Sequence, residues 1–382
     1  MGLLFLLDLR LTIHGLRFTI HGLSVEVTMR LEEFDYILPE GLISQYPIAK
    51  RDDSRLLIVN RQDGRIEHRA FSDISYFMEA GDVLVINDTK VIPARLFGKK
   101  ETGGGVEILI LRQLKPSKPE SNGKLNIWEC LIKSSKRPKE GSRISFDECL
   151  EGEVIEKGFN GKCVVQFHSK GDFHEILDKV GRMPLPPYIK RDGEPKDGQI
   201  DVERYQTVFA RNKGAIAAPT AGLHFTQGLL SKIQKKGVKI VYITVHIGLG
   251  TFMPVRVEKV EDHVLEAEYF EIKQDAASLI NTAVTNDKRI IAVGTSVTRA
   301  LESAVVENRI IKPATRHTSL FIYPGYQFKI VDALITNFHL PKSTPLLLVS
   351  AFAGNALIAD VYKKAIEARY RFLSYGDGMM IL

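Results

Sequence analysis

The sequence predicts a mixed α/β core domain with a small β-barrel-like domain inserted near its N-terminal end. Three observations carry that prediction. Apolar runs at 238–245, 290–293, 320–323 and 331–335 read as strands buried on both faces, and helical patterns alternate with them. Between 94 and 169, short strand-like runs instead follow one another between turn residues, with no helical period. The proline-stiffened stretch Gly181-Arg182-Met183-Pro184-Leu185-Pro186-Pro187-Tyr188 marks the change between the two patterns. The implied division is 29–93 plus 181–382 for the α/β domain and 94–180 for the insert.

Taken in chain order, residues 1–28 open on a short apolar run without a basic flank. A near-repeat follows, Leu9-Arg10-Leu11-Thr12-Ile13-His14-Gly15 and Leu16-Arg17-Phe18-Thr19-Ile20-His21-Gly22. Two copies are too few for a solenoid, and the segment reads as an extension outside the fold, ahead of a start at Met29. Strands are expected at 56–59 and 83–86, with a turn at Asp63-Gly64. The insert supplies strands at 106–111, 128–132, 143–146, 151–156 and 162–168. A helix at 226–236 carries Leu229, Leu230 and Ile233 on one face and stops at Gly237. Two helices, 345–353 and 356–372, end the chain.

A length of 382 residues suits two domains, and 44% apolar with 26% charged residues excludes a mostly disordered or fibrous chain. No run of about 18 uncharged apolar residues occurs, so no membrane association is expected. The three cysteines, Cys130, Cys149 and Cys163, form neither a CxxC nor a regular spacing. A disulfide framework and a structural zinc site are therefore not expected, and a reducing cytoplasm is the natural compartment. Basic residues exceed acidic ones by six, and the segment 112–143 alone holds nine basic residues against three acidic ones. The whole surplus thus sits in one segment of the insert, as a polyanion partner would require, although a solubilising loop gives the same count.

Five polar loops fall where an α/β sheet presents ligands, beyond the carboxyl ends of strands or before a helix. They are Asn87-Asp88-Thr89-Lys90, Ala218-Pro219-Thr220-Ala221-Gly222-Leu223-His224-Phe225, His246-Ile247-Gly248-Leu249-Gly250-Thr251-Phe252, Gly294-Thr295-Ser296-Val297-Thr298-Arg299 and Thr336-Asn337-Phe338-His339-Leu340-Pro341-Lys342-Ser343-Thr344. Each alone is equally explained by turn and cap chemistry. Gly248-Leu249-Gly250 starts like a dinucleotide fingerprint, but Pro254-Val255 stands where the helix should begin. Composition and motif reach only a soluble α/β enzyme with a basic β domain.

Several stretches go further: Phe34-Asp35-Tyr36-Ile37-Leu38-Pro39, Asn87-Asp88-Thr89-Lys90-Val91-Ile92-Pro93-Ala94-Arg95-Leu96-Phe97-Gly98, Met183-Pro184-Leu185-Pro186-Pro187-Tyr188-Ile189, Tyr323-Pro324-Gly325-Tyr326 and Tyr370-Arg371-Phe372-Leu373-Ser374-Tyr375-Gly376-Asp377. With these and the loops above, the chain from about Met29 resembles the S-adenosylmethionine:tRNA ribosyltransferase-isomerase family. The resemblance implies transfer and isomerisation of the donor's ribosyl part onto 7-aminomethyl-7-deazaguanine in a tRNA anticodon, with adenine and methionine released. No metal or redox cofactor is expected, because no ligand cluster is visible in the sequence and the donor is a consumed co-substrate, and a monomer is expected.

Such a reaction needs a base for a C5′ hydrogen acidified by the sulfonium, a proton for departing adenine and an anchor for the methionine carboxylate. Within the matching stretches, His224, His246, His339 and Glu268 are the candidates for acid and base. Asn87, Thr89, Arg95, Thr220, Gly222, Gly250, Thr251, Asn337, Ser343, Thr344 and Asp377 are candidate substrate contacts. Arg299 and Lys342 suit the carboxylate, and Tyr323 and Tyr375 suit ring stacking. Lys124, Lys133, Lys136 and Arg137 are the expected tRNA contacts. The sequence departs from the family's pattern at His263-Val264-Leu265-Glu266-Ala267-Glu268, where Glu266 replaces a second histidine, at Arg316-His317-Thr318 before the 320 strand, and at Gly378, where alanine is usual. A non-catalytic tRNA binder would need no hydroxyl-rich loops, and a methyltransferase would need a glycine-rich turn that is missing.

Overall fold

The computed structural model describes residues 18–20, 23–25, 28–114, 126–159, 161–191, 195–248, 250 and 255–382. Strands β1 (Phe18–Ile20) and β2 (Leu23–Val25) pair antiparallel with each other. The body then opens with β3 (Arg55–Val59), β4 (Ile66–Ala70), β5 (Val83–Asn87) and β6 (Thr89–Val91). The insert follows as β7 (Arg95–Lys100), β8 (Gly105–Gln113), β9 (Asn126–Lys133), β10 (Arg143–Asp147), β11 (Leu150–Lys157), β12 (Lys162–Ser169) and helix α1 (Phe173–Val180). The chain re-enters the body through α2 (Pro195–Arg204), β13 (Asn212–Ala215), α3 (Gln227–Lys235), β14 (Lys239–His246), β15 (Glu268–Ile272) and α4 (Gln274–Thr285). It finishes with β16 (Ile290–Val293), α5 (Thr295–Ala304), β17 (Ala314–Thr318), β18 (Ala333–Asn337), α6 (Thr344–Ala353), α7 (Asn355–Glu367) and β19 (Gly378–Ile381).

Nine strands form one mixed sheet in the order β17-β15-β14-β5-β16-β18-β19-β3-β4. Its central strands are apolar along most of their length, up to polar ends such as Asn87, His246 and Asn337, because both faces are covered. Leu57, Val83, Val85, Ile290, Ala292, Leu334 and Met379 pack into the core under α4 to α7. Leu56, Leu84, Ile86, Ile291, Val293, Ile335 and Met380 pack on the other face against Leu229, Leu230 and Ile233 of α3. That alternation within unbroken apolar runs is what burial on two faces produces. The last strand, β19, enters between β18 and β3, so the end of the chain sits inside the sheet. Asp377 fixes this entry by accepting from the backbone N–H groups of Arg55 and Arg371 and from the Arg371 guanidinium.

The insert is a closed six-stranded barrel, β10-β11-β12-β9-β8-β7, filled by residues such as Ile108, Ile110, Trp128, Val154, Val165 and Phe167. The barrel strands agree with the sequence expectation to within two residues, apart from β7, which was not expected. The run 320–323 is not a strand. Its place at the sheet edge is taken by β17, whose Ala314-Thr315-Arg316-His317-Thr318 pairs with β15. This strand is largely solvent-facing and so has no apolar signature, whereas Ile322 is buried in a loop. That loop is held by Glu302, a buried carboxylate accepting from the N–H groups of Lys329, Ile330 and Val331 and from the Tyr326 hydroxyl.

Barrel and body are joined by two crossing segments, bonded where Arg95 and Arg182 exchange backbone hydrogen bonds of 3.1 and 2.8 Å. Gly181 is pressed into this crossing. A Cβ there would lie 2.0 Å from the Pro93 carbonyl oxygen and 2.7 Å from that of Leu177. Both are backbone atoms, which cannot rotate away. Gly181→Ala is therefore expected to destabilise by about 1–3 kcal/mol or more. Gly41→Ala, at a site with nothing within 4 Å, should leave the melting temperature unchanged. Thermal melts of the two variants side by side check this; equal melting temperatures would contradict it.

Candidate active site

Strands β5, β14, β16 and β18 run parallel and end at one edge of the sheet, at Asn87, His246, Val293 and Asn337. Strands β19 and β3 run the other way and begin there. An open cleft lies along this edge, at the position where open α/β sheets bind ligands. Ala218-Pro219-Thr220-Ala221, Ile247, Gly294-Thr295-Ser296, Thr336-Asn337-Phe338-His339, Ser343 and the pair Tyr188 and Ser374 line it. Four of the five polar loops thus meet in one wall, together with Asn87 at the start of the fifth. A second groove, between residues 33–37 and α6 and α7, is lined by apolar and aromatic residues such as Phe34, Tyr36, Leu346 and Tyr362 together with Glu33, Asp35, Asn355, Lys363 and Glu367, and none of the five polar loops lines it.

Two helices start in the cleft wall. Gly294, at φ 95°, turns the chain sharply from β16 into α5, a backbone conformation that favours glycine. Neither α5 nor α6 is capped by a side chain at its start. Ser343, at the head of α6, gives its hydroxyl proton to the Leu340 carbonyl 2.7 Å away. The first-turn N–H groups of both helices therefore present partial positive charge to the cleft, as an anion site needs. Beneath them lies Arg299, buried and paired with Glu268, in a recess shared with Thr295 and Thr344. Its second terminal nitrogen, Nη1, is buried and has no hydrogen-bond acceptor among the described residues. Glu268 also accepts from the Gly248 N–H at 3.2 Å, so it serves as the counter-charge for Arg299 and a tie for the 247–250 loop.

Two buried asparagines close the strand ends differently. Asn87 donates to the Val245 carbonyl (2.8 Å), and its Oδ1 accepts from the N–H groups of Val245 (2.9 Å) and Thr89 (3.0 Å). Asn337 donates from Nδ2 to the Leu373 carbonyl (3.0 Å) and to His224 Nε2 (3.3 Å), while its Oδ1 has no partner among the described residues. His224 Nδ1 meets Ser54 Oγ at 2.7 Å, and Ser54 Oγ meets the Arg51 carbonyl at 3.2 Å. The carbonyls at the two ends can only accept, so every proton in this chain is assigned. Nδ2 of Asn337 faces Leu373, His224 must then accept at Nε2 and carry its proton on Nδ1, and the serine proton goes to Arg51. Burial holds the His224 imidazole neutral, its pKa pushed down to about 4, and Phe71 stacks on the ring at 4.7 Å. Both nitrogens are thus committed, and His224 works here as a positioning residue for Asn337.

Of the four acid–base candidates only His339 lines the cleft. Its Nε2 lies 2.8 Å from Thr336 Oγ1, its N–H donates to the Tyr362 hydroxyl, and its carbonyl accepts from Tyr36. The ring keeps some exposure toward the cleft, yet the surrounding protein pushes its pKa down to about 3 by desolvation. His246 lies outside the cleft lining, bonded to Thr89 Oγ1 at 2.8 Å and stacked on Tyr269. Burial lowers its pKa too.

Among the substrate-contact candidates, Asn87, Thr220, Asn337 and Ser343 line the cleft, and Arg299 and Thr344 lie in the recess behind it. Thr89 is fully buried against His246 and the Asn212 carbonyl. Gly222 packs against Thr207 and Phe209, and Gly250 lies by Glu266. Arg95 sits on the barrel, near Glu107 and bonded to the Leu185 carbonyl. Lys342 pairs with Asp35 at 2.6 Å. Tyr323 packs on Phe321, and the buried Tyr375 donates to Asp201 at 3.2 Å. Asp377 is the anchor of β19 described above. Lys133, Lys136 and Arg137 are exposed on the barrel, and Thr251 and Lys124 lie outside the described residues. Sequence reasoning passed over Ser54, Tyr188 and Ser374 as site residues. The last two share a 2.7 Å hydroxyl contact at the cleft wall, and their signal was their place inside family-like stretches.

Comparison with known proteins matches this geometry to a family. The family model described as queuosine biosynthesis protein covers residues 31–381. The S-adenosylmethionine:tRNA ribosyltransferase-isomerase of Halothermothrix orenii is 52% identical over 356 residues, which is 93% of this chain and all of the relative. That of Desulfitobacterium hafniense is 50% identical over the same share of each chain. The crystal structure of S-adenosylmethionine tRNA ribosyltransferase from Thermotoga maritima is 34% identical, with a TM-score of 0.50 over 92% of this chain and all of that one. The chain belongs to the S-adenosylmethionine:tRNA ribosyltransferase-isomerase family.

Proposed function

We propose that the sheet-edge cleft carries out this family's reaction, moving and isomerising the ribosyl part of S-adenosylmethionine onto 7-aminomethyl-7-deazaguanine of a tRNA anticodon, in the cytoplasm. Epoxyqueuosine-tRNA forms, and adenine and methionine leave. The observation that carries the reading is the convergence of the family-like loops on one cleft with two uncapped helix starts.

In this reading the methionine carboxylate sits at the first turns of α5 and α6, near Thr295, Ser296 and Ser343. Arg299 adds positive charge from behind, where Glu268 holds it in place. His339 is the base for the C5′ hydrogen. Burial keeps this ring neutral at neutral pH, so it has no acidic proton to give to adenine, and its basicity must rise in the loaded site for it to take one from C5′. The proton for adenine comes from another group or from water. The exposed cations of the barrel, Lys133, Lys136 and Arg137, meet tRNA phosphates.

Incubation with S-adenosylmethionine and precursor tRNA should release adenine and methionine in equal amounts with each modified tRNA. S-adenosylhomocysteine as the main product would mean methyl transfer and would overturn the reading. His339→Ala should lower turnover by roughly 10²–10⁴-fold with little change in substrate binding. Because the imidazole is already in its neutral form, the ratio of native to variant turnover should stay level between about pH 5 and 8. A ratio collapsing toward the acid end would mean that the ring titrates in that range, against the base assignment. Lys133→Ala should reduce the salt slope of tRNA binding by about 1 and leave donor binding intact; an unchanged slope would return that lysine to a solubilising role.

A further inference from the structure

The tip of the β11–β12 hairpin carries Phe159, which is 92% exposed. The tip itself is tightly built. Gly158 N–H donates to the Lys162 carbonyl at 2.9 Å, Lys162 N–H donates back to the Phe159 carbonyl at 3.0 Å, and Gly161 takes a left-handed φ of 84°. An ordered hairpin holding a bare aromatic ring in water gains nothing for folding from that ring.

Its surroundings point to a partner. The Gly161 carbonyl accepts from Ile132 N–H at 3.0 Å, so the end of β9 lies against the tip. The turn that leaves it carries Lys133, Lys136, Arg137 and Lys139, all exposed and with no acid between them in the sequence. Among the described residues none of the four has an acidic partner, and an Arg137 terminal nitrogen lies 3.7 Å from where a Cβ on Gly161 would sit. Glu140, the first acid beyond, is engaged by the Lys157 N–H at 3.1 Å. On the other side the hairpin touches the body. Lys162 Nζ pairs with Glu266 at 2.6 Å, the Glu266 side chain lies 3.4 Å from a Cβ position on Gly250, and the same loop begins at Ile247 in the cleft wall. The ring and the cations therefore stand at the end of the barrel that adjoins the cleft mouth.

We propose that this rim is the docking surface for a single-stranded RNA loop, with Phe159 stacking on an unpaired base while the flanking cations hold its phosphates. The inference rests on the tRNA reading above and adds the recognition of unpaired RNA. A duplex keeps its bases stacked inside and offers Phe159 no face; an open loop does. Docking there would leave a neighbouring nucleotide at the cleft mouth, where the acceptor base must enter.

Binding of the full-length protein to a tRNA anticodon stem–loop, and to the same strand annealed to its complement, tests this directly. Phe159→Ala should weaken stem–loop binding by roughly 5- to 100-fold, the range for one base–aromatic stack, with duplex binding and the salt slope unchanged. Phe159→Trp should retain stem–loop affinity, and its added emission should be quenched by the stem–loop and not by the duplex. Native stem–loop affinity in Phe159→Ala, or tryptophan emission that the stem–loop leaves unmoved, would overturn the proposal. Neither measurement needs turnover. A protein that binds the stem–loop through Phe159 yet releases no adenine would contradict the ribosyl-transfer reading alone.

Discussion

The constraint on which the site depends is that a sheet must end without closing over its own ligand edge. Where four parallel strands stop, their last backbone groups have lost their ladder partners and still need hydrogen bonds. Continuing strand or helix would satisfy them and fill the cleft. Here side-chain amides do it. Asn87 bonds both the N–H and the carbonyl of Val245, standing in for a ladder partner between β5 and β14. Asn337 does half as much and leaves an oxygen without a partner among the described residues. An unsatisfied buried oxygen costs about 1–3 kcal/mol, and here it lies in a residue of the cleft wall beside His339. The cost falls where a substrate donor could later recover it.

The orientation of that oxygen is set far from it. Arg51, Ser54, His224 and Leu373 come from three separate regions of the chain and fix the Asn337 amide through one run of protons. The same logic governs the charged end of the cleft, where Glu268 holds Arg299 and Gly248 together behind two helix starts. Most of the polar residues around the cleft orient other residues, and few are left to face a substrate directly.

This is why the fold was more legible than the site. Apolar runs buried on two faces declared β14, β16 and β18, and short alternating runs declared the barrel. The exceptions follow from context. β17 is polar because it is an edge strand, and β7, Arg95-Leu96-Phe97-Gly98-Lys99-Lys100, is broken by a glycine and two lysines. Loop chemistry pointed to the edge of the sheet where the cleft lies, and His339, Asn337, Thr220 and Ser343 are in its lining. It did not tell which way a side chain faces. His224 has the residue type of an acid or base, but its two nitrogens are taken by Ser54 and Asn337, 170 and 113 positions away. Tyr375, Asp377 and Lys342 likewise carry polar groups that their neighbours consume. A pattern of residue types cannot show such long-range pairings, which only the folded chain creates.

The charge distribution joins the two domains into one apparatus. The segment 112–143 of the insert carries nine basic against three acidic residues, while the cleft is lined mainly by neutral amides, hydroxyls and helix starts, so in the proposed function a polyanion is held beside the reaction and not in it. The most direct measurement is a crystal structure of the protein with S-adenosylmethionine. The account predicts the methionine carboxylate at the first turns of α5 and α6 above Arg299, with the ribose within reach of His339. A donor seated instead in the groove between residues 33–37 and helices α6 and α7, or with its carboxylate away from both helix starts, would contradict it.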